Sequence, residues 1–223
     1  MEDFKLENID HGDIEDLLEE VEKSFNIKFV GNELIGIRNF GELCDHITKK
    51  IQLEDIDDCT SQQAFYKLRN VISTELSVNQ KEITIKRKLE ELFPKKIRRS
   101  NLKKIEEKLG FKLKILTAPN WVMFPLIVIF LLSFICFFFS WKIALSGIAF
   151  STLGFWMADM TANEIELENV GQLVERMTRE NYLQSRRKQE TFNKKEIEKV
   201  LRDWFSDKLG LEKTKLTRDA KFL

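Results

Sequence analysis

WVMFPLIVIFLLSFICFFFSWKIALSGIAFSTLGFWMA, Trp121 to Ala158, is the stretch that decides the fold, and its only charged side chain is Lys142. That charge divides it into two apolar runs. Trp121–Ser140 has about the 20 residues a helix needs to cross roughly 30 Å of hydrocarbon. Ile143–Ala158 is shorter, and Trp141 and Lys142 extend it by lying in the interface and snorkelling. One continuous helix of the whole length would be too long for a single bilayer. The stretch therefore reads as a helical hairpin turning around Ser140–Lys142.

Three details agree with a hairpin. Trp121, Trp141 and Trp156 fall where span ends meet headgroups. Pro125 lies in the first turn of its helix, where a missing N–H costs little. Gly147, Ser151 and Gly154 recur at i, i+4 and i+7, a helix-packing seam of small residues. The bulkier first helix, with Phe130, Phe134, Phe137 and Phe138, is expected to pack against it. A soluble protein of this size has no core wide enough to bury both helices all round.

Charge is unevenly spread around the hairpin. Residues 1–58 carry 17 acidic and 6 basic side chains, whereas residues 81–115 carry 13 basic and 5 acidic. The basic block ends just before the hairpin, and Arg186-Arg187-Lys188 follows it. The turn offers only Lys142. By the positive-inside rule both termini are cytoplasmic, with two spans in the inner (cell) membrane. Basic juxtamembrane segments are also drawn to anionic lipid. The N-terminus is acidic and polar and does not read as a secretory signal. Cys44, Cys59 and Cys136 suggest neither a disulfide nor a metal framework.

Four segments follow, mostly α-helical: an acidic one (1–53), a basic one (54–118), the hairpin (119–158) and a C-terminal one (159–223). Ile14, Leu17, Leu18, Val21 and Phe25 form one apolar stripe behind Asp13. Glu15, Asp16, Glu19, Glu20 and Glu22 form its acidic outer face. A second helix begins near Asn39, and the acidic run Glu54–Asp58 reads as a linker. Thr60-Ser61-Gln62-Gln63 has the form of a capping box with Thr60 as N-cap. Pro94 stops Leu89–Phe93, and Ser100 is expected to cap the next helix, which Gly110 closes. A helix follows Asn169, and Asn169-Val170-Gly171-Gln172-Leu173 echoes Asn39-Phe40-Gly41-Glu42-Leu43. The last amphipathic helix is Lys194–Leu209.

Two stretches resemble acyl carrier proteins. In the tail, Leu209-Gly210-Leu211, then Leu216-Thr217, Ala220 and Phe222 are spaced like the end of a carrier's first helix and its long first loop. Asp13–Phe29 is similar to the acidic second helix, and Ile37–Ile51 to the final helix with its lead-in. The resemblance implies a carrier fold with its halves in swapped order, over about a third of the chain. An active carrier bears phosphopantetheine on a serine opening its second helix. Here Asp10-His11-Gly12-Asp13 occupies that region, with His11 near the serine position. Histidine cannot form that phosphodiester, so no phosphopantetheine arm and no cofactor are expected. Some bacterial carrier-like proteins also lack the serine.

No phosphate-cradling loop, nucleophile elbow or zinc motif is present. Isolated histidines such as His11 and His46 are ordinarily surface residues. Cys44 reads as core and Cys59 as a pre-helix residue. Lys86–Lys114 lacks interleaved exposed aromatics, so lipid headgroups or the chain's own acidic segment suit it better than nucleic acid. Asp159 is placed at the interface. The expected function is a membrane-anchored, non-enzymatic adaptor whose acidic helix docks enzymes of lipid or acyl metabolism. The alternatives are a carrier completed in trans, and a homo-oligomeric membrane protein assembled through the Gly147, Ser151 and Gly154 seam.

Overall fold

Asn39 and Asn169 each stop the extended chain and start a helix in the same way. The Asn39 side chain accepts from the Glu42 N–H (2.8 Å), and the Glu42 carboxylate accepts from the Arg38 N–H (2.7 Å). The Asn169 side chain accepts from the Gln172 N–H (3.1 Å), and the Gln172 side chain accepts from the Glu168 N–H (2.7 Å). This is reciprocal capping of otherwise unpaired helix-start donors. The five-residue echo in the sequence is thus one structural device used twice.

A computed structural model describes residues 11–222, and His11 only as the first residue of its helix. The described residues are mostly helical, in ten α-helices and four two-residue strands. The helices are α1 (His11–Phe25), α2 (Phe40–Lys50), α3 (Thr60–Leu76), α4 (Leu89–Leu92), α5 (Arg98–Leu109), α6 (Asn120–Cys136), α7 (Trp141–Met160), α8 (Val170–Glu180), α9 (Tyr182–Ser185) and α10 (Lys194–Leu209). The strands are β1 (Glu54–Asp55), β2 (Leu116–Thr117), β3 (Glu164–Ile165) and β4 (Thr191–Phe192). β1 pairs with β4 in parallel, and β2 with β3 antiparallel.

Two apolar cores organise the helices. One gathers α1, α2 and α10 with Tyr182, Phe192, Leu216 and Ala220. The other gathers α3, α4, α5 and α8 with Ile83, Phe111, Leu113 and Ile115. The N-terminal helices α1 and α2 and the C-terminal α10 with its loop therefore share a core within one chain.

The two halves repeat one pattern. α10 ends at Gly210 and α3 at Ser77, both with left-handed backbone (φ 64° and 54°). The loops that follow run back to the capped helices. Phe40 and Gly41 donate to the carbonyls of Ala220 and Arg218 (both 2.8 Å). Val170 and Gly171 donate to Arg87 and Ile85 (3.0 and 2.8 Å). α1 and α5 also correspond. Each is followed by a left-handed residue, Asn26 or Gly110. The Glu22 carboxylate accepts from the Phe29 N–H, and Glu106 from Leu113 (2.8 Å). The hairpin of α6 and α7 is inserted in the second half where the first has only the short link after Phe29.

Several local expectations are corrected. The hairpin turns at residues 137–140, and Trp141 and Lys142 belong to the first turn of α7. Thr60 is the first helical residue rather than the cap, because its hydroxyl is occupied by Arg186 and its N–H by Glu196 (3.1 Å). Ser100 lies inside α5, which starts at Arg98. Glu54–Asp58 is no free linker. Besides the β1–β4 pairing, Asp55 accepts from the Lys194 N–H (2.9 Å), and Asp57 pairs with Lys195.

Arg186 joins the halves, and its side chain is fully buried. It donates to Thr191 (3.1 Å), to Thr60 (2.5 Å) and to the Asp58 carboxylate, and it lies 5.8 Å from the Tyr182 ring. Replacing it with methionine leaves these acceptors unpaired. Arg186→Met should cost on the order of 3 kcal/mol of stability, read from thermal unfolding in detergent by circular dichroism. Gly41 and Gly171 test the repeat. A Cβ on Gly41 would stand 2.9 Å from the Arg218 carbonyl, and one on Gly171 2.6 Å from Ile85 Cγ2. Alanine at either site should destabilise by about 1–3 kcal/mol in the same assay.

Candidate functional interface

The five acidic side chains expected on the outer face of α1 divide into two groups. Glu15, Asp16 and Glu19 are exposed. Glu19 pairs with Lys23 one turn on (2.7 Å), and that hydrogen bond holds its carboxyl below the usual range. Glu20 instead reaches Lys208 of α10 (2.9 Å), and Glu22 receives the Phe29 N–H. The outward acidic face is therefore Glu15, Asp16 and Glu19, while Glu20 and Glu22 hold the fold. Sequence periodicity placed all five outside the apolar stripe but carried no sign of these two partners, one distant in sequence and one just past the end of the helix. Asp10 lies outside the described residues, and so does the His11 side chain.

Ser24 is buried, not available. Its hydroxyl donates to the Arg179 carbonyl (2.5 Å) and accepts from the Tyr182 N–H (2.8 Å). His46 lies 3.6 Å from Glu33 and stacks on Phe29 at 6.1 Å between centroids, and Lys50 reaches the same carboxylate (2.6 Å). Burial pushes the Cys44 thiol up to about 12, while Cys59 is exposed. Among the described residues no three His, Cys, Asp or Glu side chains gather in a metal-holding group.

The helix-packing seam is filled by the chain itself. Ser151 is fully buried and donates to the Gly147 carbonyl (2.9 Å). A Cβ on Gly147 would meet the Ser133 hydroxyl, and one on Gly154 would stand 2.5 Å from a Leu126 methyl. The seam thus meets Leu126 and Ser133 rather than the phenylalanine row. Phe130 does contact α7 through Phe155 (6.2 Å), whereas Phe134, Phe137 and Phe138 are exposed.

Outside this contact the two helices are uncovered. Only Leu126 and Ser133 of α6, and Ala144, Ser151 and Ala158 of α7, are buried. Twenty of the 25 exposed large apolar residues among those described lie between Trp121 and Met160, so one continuous apolar surface surrounds the hairpin. α7, at 20 residues, is long and apolar enough to cross a membrane, and α6, at 17, is shorter.

Where the halves meet, a cleft of about 610 Å³ is lined by charged groups from α1, α8 and α10. It holds the ion pairs Glu20–Lys208 (2.9 Å), Arg179–Asp207 (2.7 Å) and Arg176–Glu166 (2.9 Å). Glu180 sits among them with its pKa raised by burial, partly offset by Arg176 and Lys208. A second cleft of about 540 Å³ lies between α3, α8 and α10, with Cys59 and Tyr66 in its lining.

No family model matches the chain, and neither the curated proteins nor the solved structures contain a significant match.

Glu180 gives a pH signature. Its folded pKa lies above the unfolded value, so its stabilising contribution is complete at acid pH and is lost as pH rises through the folded pKa. Glu180→Gln should therefore leave stability at pH 4 nearly unchanged and raise it relative to wild type at pH 7. Thermal unfolding at the two pH values checks this.

Proposed function

We propose that the chain is a membrane-anchored, non-catalytic adaptor. The α6–α7 hairpin crosses the bilayer twice and holds two carrier-like helical units at the inner, cytoplasmic face. The observation that carries this reading is the apolar surface between Trp121 and Met160, too large and continuous for contact with water. Hydrocarbon covers it without a partner protein. The hydrogen bonding agrees, since Ser133, Ser146, Ser151 and Thr152 all return their hydroxyls to carbonyls of their own helices. Polar groups in hydrocarbon need such internal partners. α6 is short for a span, and the residues of the 137–140 turn, three of them phenylalanines, extend its apolar length.

The soluble units supply the second part of the proposal. Glu15, Asp16 and Glu19 form an exposed acidic row on α1, the helix that resembles the recognition helix of acyl carriers. A basic patch on an enzyme of lipid or acyl metabolism complements that row. No residue is assigned to catalysis, and no phosphopantetheine arm is assigned to the chain.

Two outcomes are expected. After alkaline carbonate extraction the chain should remain with the membrane pellet, and release into the supernatant would refute the anchor. Intact-mass measurement of protein co-expressed with a phosphopantetheinyl transferase should show the unmodified mass. A gain of one phosphopantetheine group would make the protein a working carrier and overturn the adaptor reading.

A further inference from the structure

α1 and α5 hold equivalent places in the two halves, yet their outward charges are opposite. In the register set by Glu22/Glu106 and Asn26/Gly110, the outward acids Glu15 and Glu19 correspond to Arg99 and Lys103, and Glu20, which reaches Lys208, corresponds to the exposed Lys104. Even the surface ion pair is inverted, with Glu19–Lys23 on α1 (2.7 Å) and Lys103–Glu107 on α5 (3.9 Å). From Lys95 to Lys104 there are six basic side chains and no acidic one.

The position of α5 gives this inversion a meaning. Its first turn is fastened to the end of α7. Arg99 donates to the Met160 carbonyl (2.5 Å) and Arg98 to the Asn163 carbonyl (2.5 Å). The Asn163 amide donates to the Lys95 carbonyl (3.0 Å), and Lys95 pairs with Glu164 (2.5 Å). The β2–β3 ribbon, whose strands lead into α6 and out of α7, braces the same junction. Met160 ends α7, so α5 begins at the depth where that helix leaves hydrocarbon. Two carboxylates lie near. Glu164 is occupied by Lys95 and stands 4.0 Å from Arg98, and Asp159 is exposed on the last turn of α7. Lys96 and Lys104 are exposed, and neither pairs with a carboxylate among the described residues.

We propose that the basic surface made by Lys95 and Lys96, just before α5, and by Arg99, Lys103 and Lys104 on α5 docks on the anionic phospholipid headgroups of the leaflet that α6 and α7 enter. Charge complementarity and interfacial depth select that occupant. The inference rests on the hairpin being the membrane anchor. It adds a second contact that fixes how the soluble units stand on the bilayer.

The test uses the full chain in nanodiscs of phosphatidylcholine alone, or of phosphatidylcholine mixed with phosphatidylglycerol. Lysines are acetylated at limiting reagent and mapped by mass spectrometry. Lys96 and Lys104 should react about fivefold more slowly in the anionic discs, the factor equivalent to roughly 1 kcal/mol per basic side chain near such a surface. High salt should abolish the difference, and Lys199 on α10 should react equally in both discs. The double variant Lys96→Glu/Lys104→Glu should stay with both kinds of disc but lose the protection of Lys103. Equal rates in the two discs, or Lys103 still protected in the variant, would overturn the headgroup contact. Protection already complete in phosphatidylcholine would assign the face to a protein partner, such as α1 of a second copy, and overturn it too. Loss of the wild-type chain from phosphatidylcholine discs would refute the anchor itself, which separates the two failures.

Discussion

The buried guanidinium of Arg186 is the constraint on which the arrangement of the two halves depends. A charge without water must find acceptors, or its desolvation cost is uncompensated. Asp58 and Thr60 come from the entrance to α3, Thr191 from β4, and Tyr182 supplies its ring from α9. These contacts can be made together only when β1 lies beside β4 and α3 starts against α9. The surrounding polar groups obey the same requirement. Asn193 donates to the Asp58 carbonyl (3.0 Å) and receives the Lys195 N–H (3.0 Å), while its own N–H reaches the Tyr182 hydroxyl (3.0 Å). A short polar knot thus sets the junction, and the apolar cores fill in on either side.

Much of the fold was legible in the sequence, for a local reason. The periodicity of α1, α10 and the capped helices follows from apolar spacing and end chemistry, and both are written within a few residues. What could not be read was the action of residues far apart. Glu20 and Glu22 look the same as Glu15 and Asp16 in the sequence. Only the fold brings the distant Lys208 to Glu20, and only the left-handed turn at Asn26 brings the nearby Phe29 N–H back to Glu22. Thr60 satisfies a capping pattern, but a buried arginine more than a hundred residues away takes its hydroxyl. The echo between Asn39–Leu43 and Asn169–Leu173 was too short to establish a repeat. The repeat emerges from matching hydrogen bonds, present in both halves although most of the side chains differ.

The duplicated framework separates what the fold requires from what each copy adds. Both copies keep a glycine where the returning loop crosses the last helix, because a Cβ there would strike that loop. Both keep a carboxylate that accepts a backbone N–H after the helix corresponding to α1 or α5. The exposed positions of those helices are under no such requirement, and there the charges invert. The small residues of α7 show the same economy of means. Gly147 and Ser151 are small because α6 passes against them, and every position facing away from α6 is free to be apolar and bulky.

The order of the elements along the chain has a consequence for synthesis. α1 and α2 emerge first, but the core they complete also needs α10 and the loop through Leu216 and Ala220, which emerge last. Their apolar stripe must wait, uncovered, while α3 through α9 are made. The half built around α3, α5 and α8 closes earlier, and the apolar hairpin inside it emerges before either core is finished. Contacts between the two ends of a chain are slow to form, because a long loop must close before any of them is rewarded. The early helices therefore complete their core only after α10 and its loop have been made.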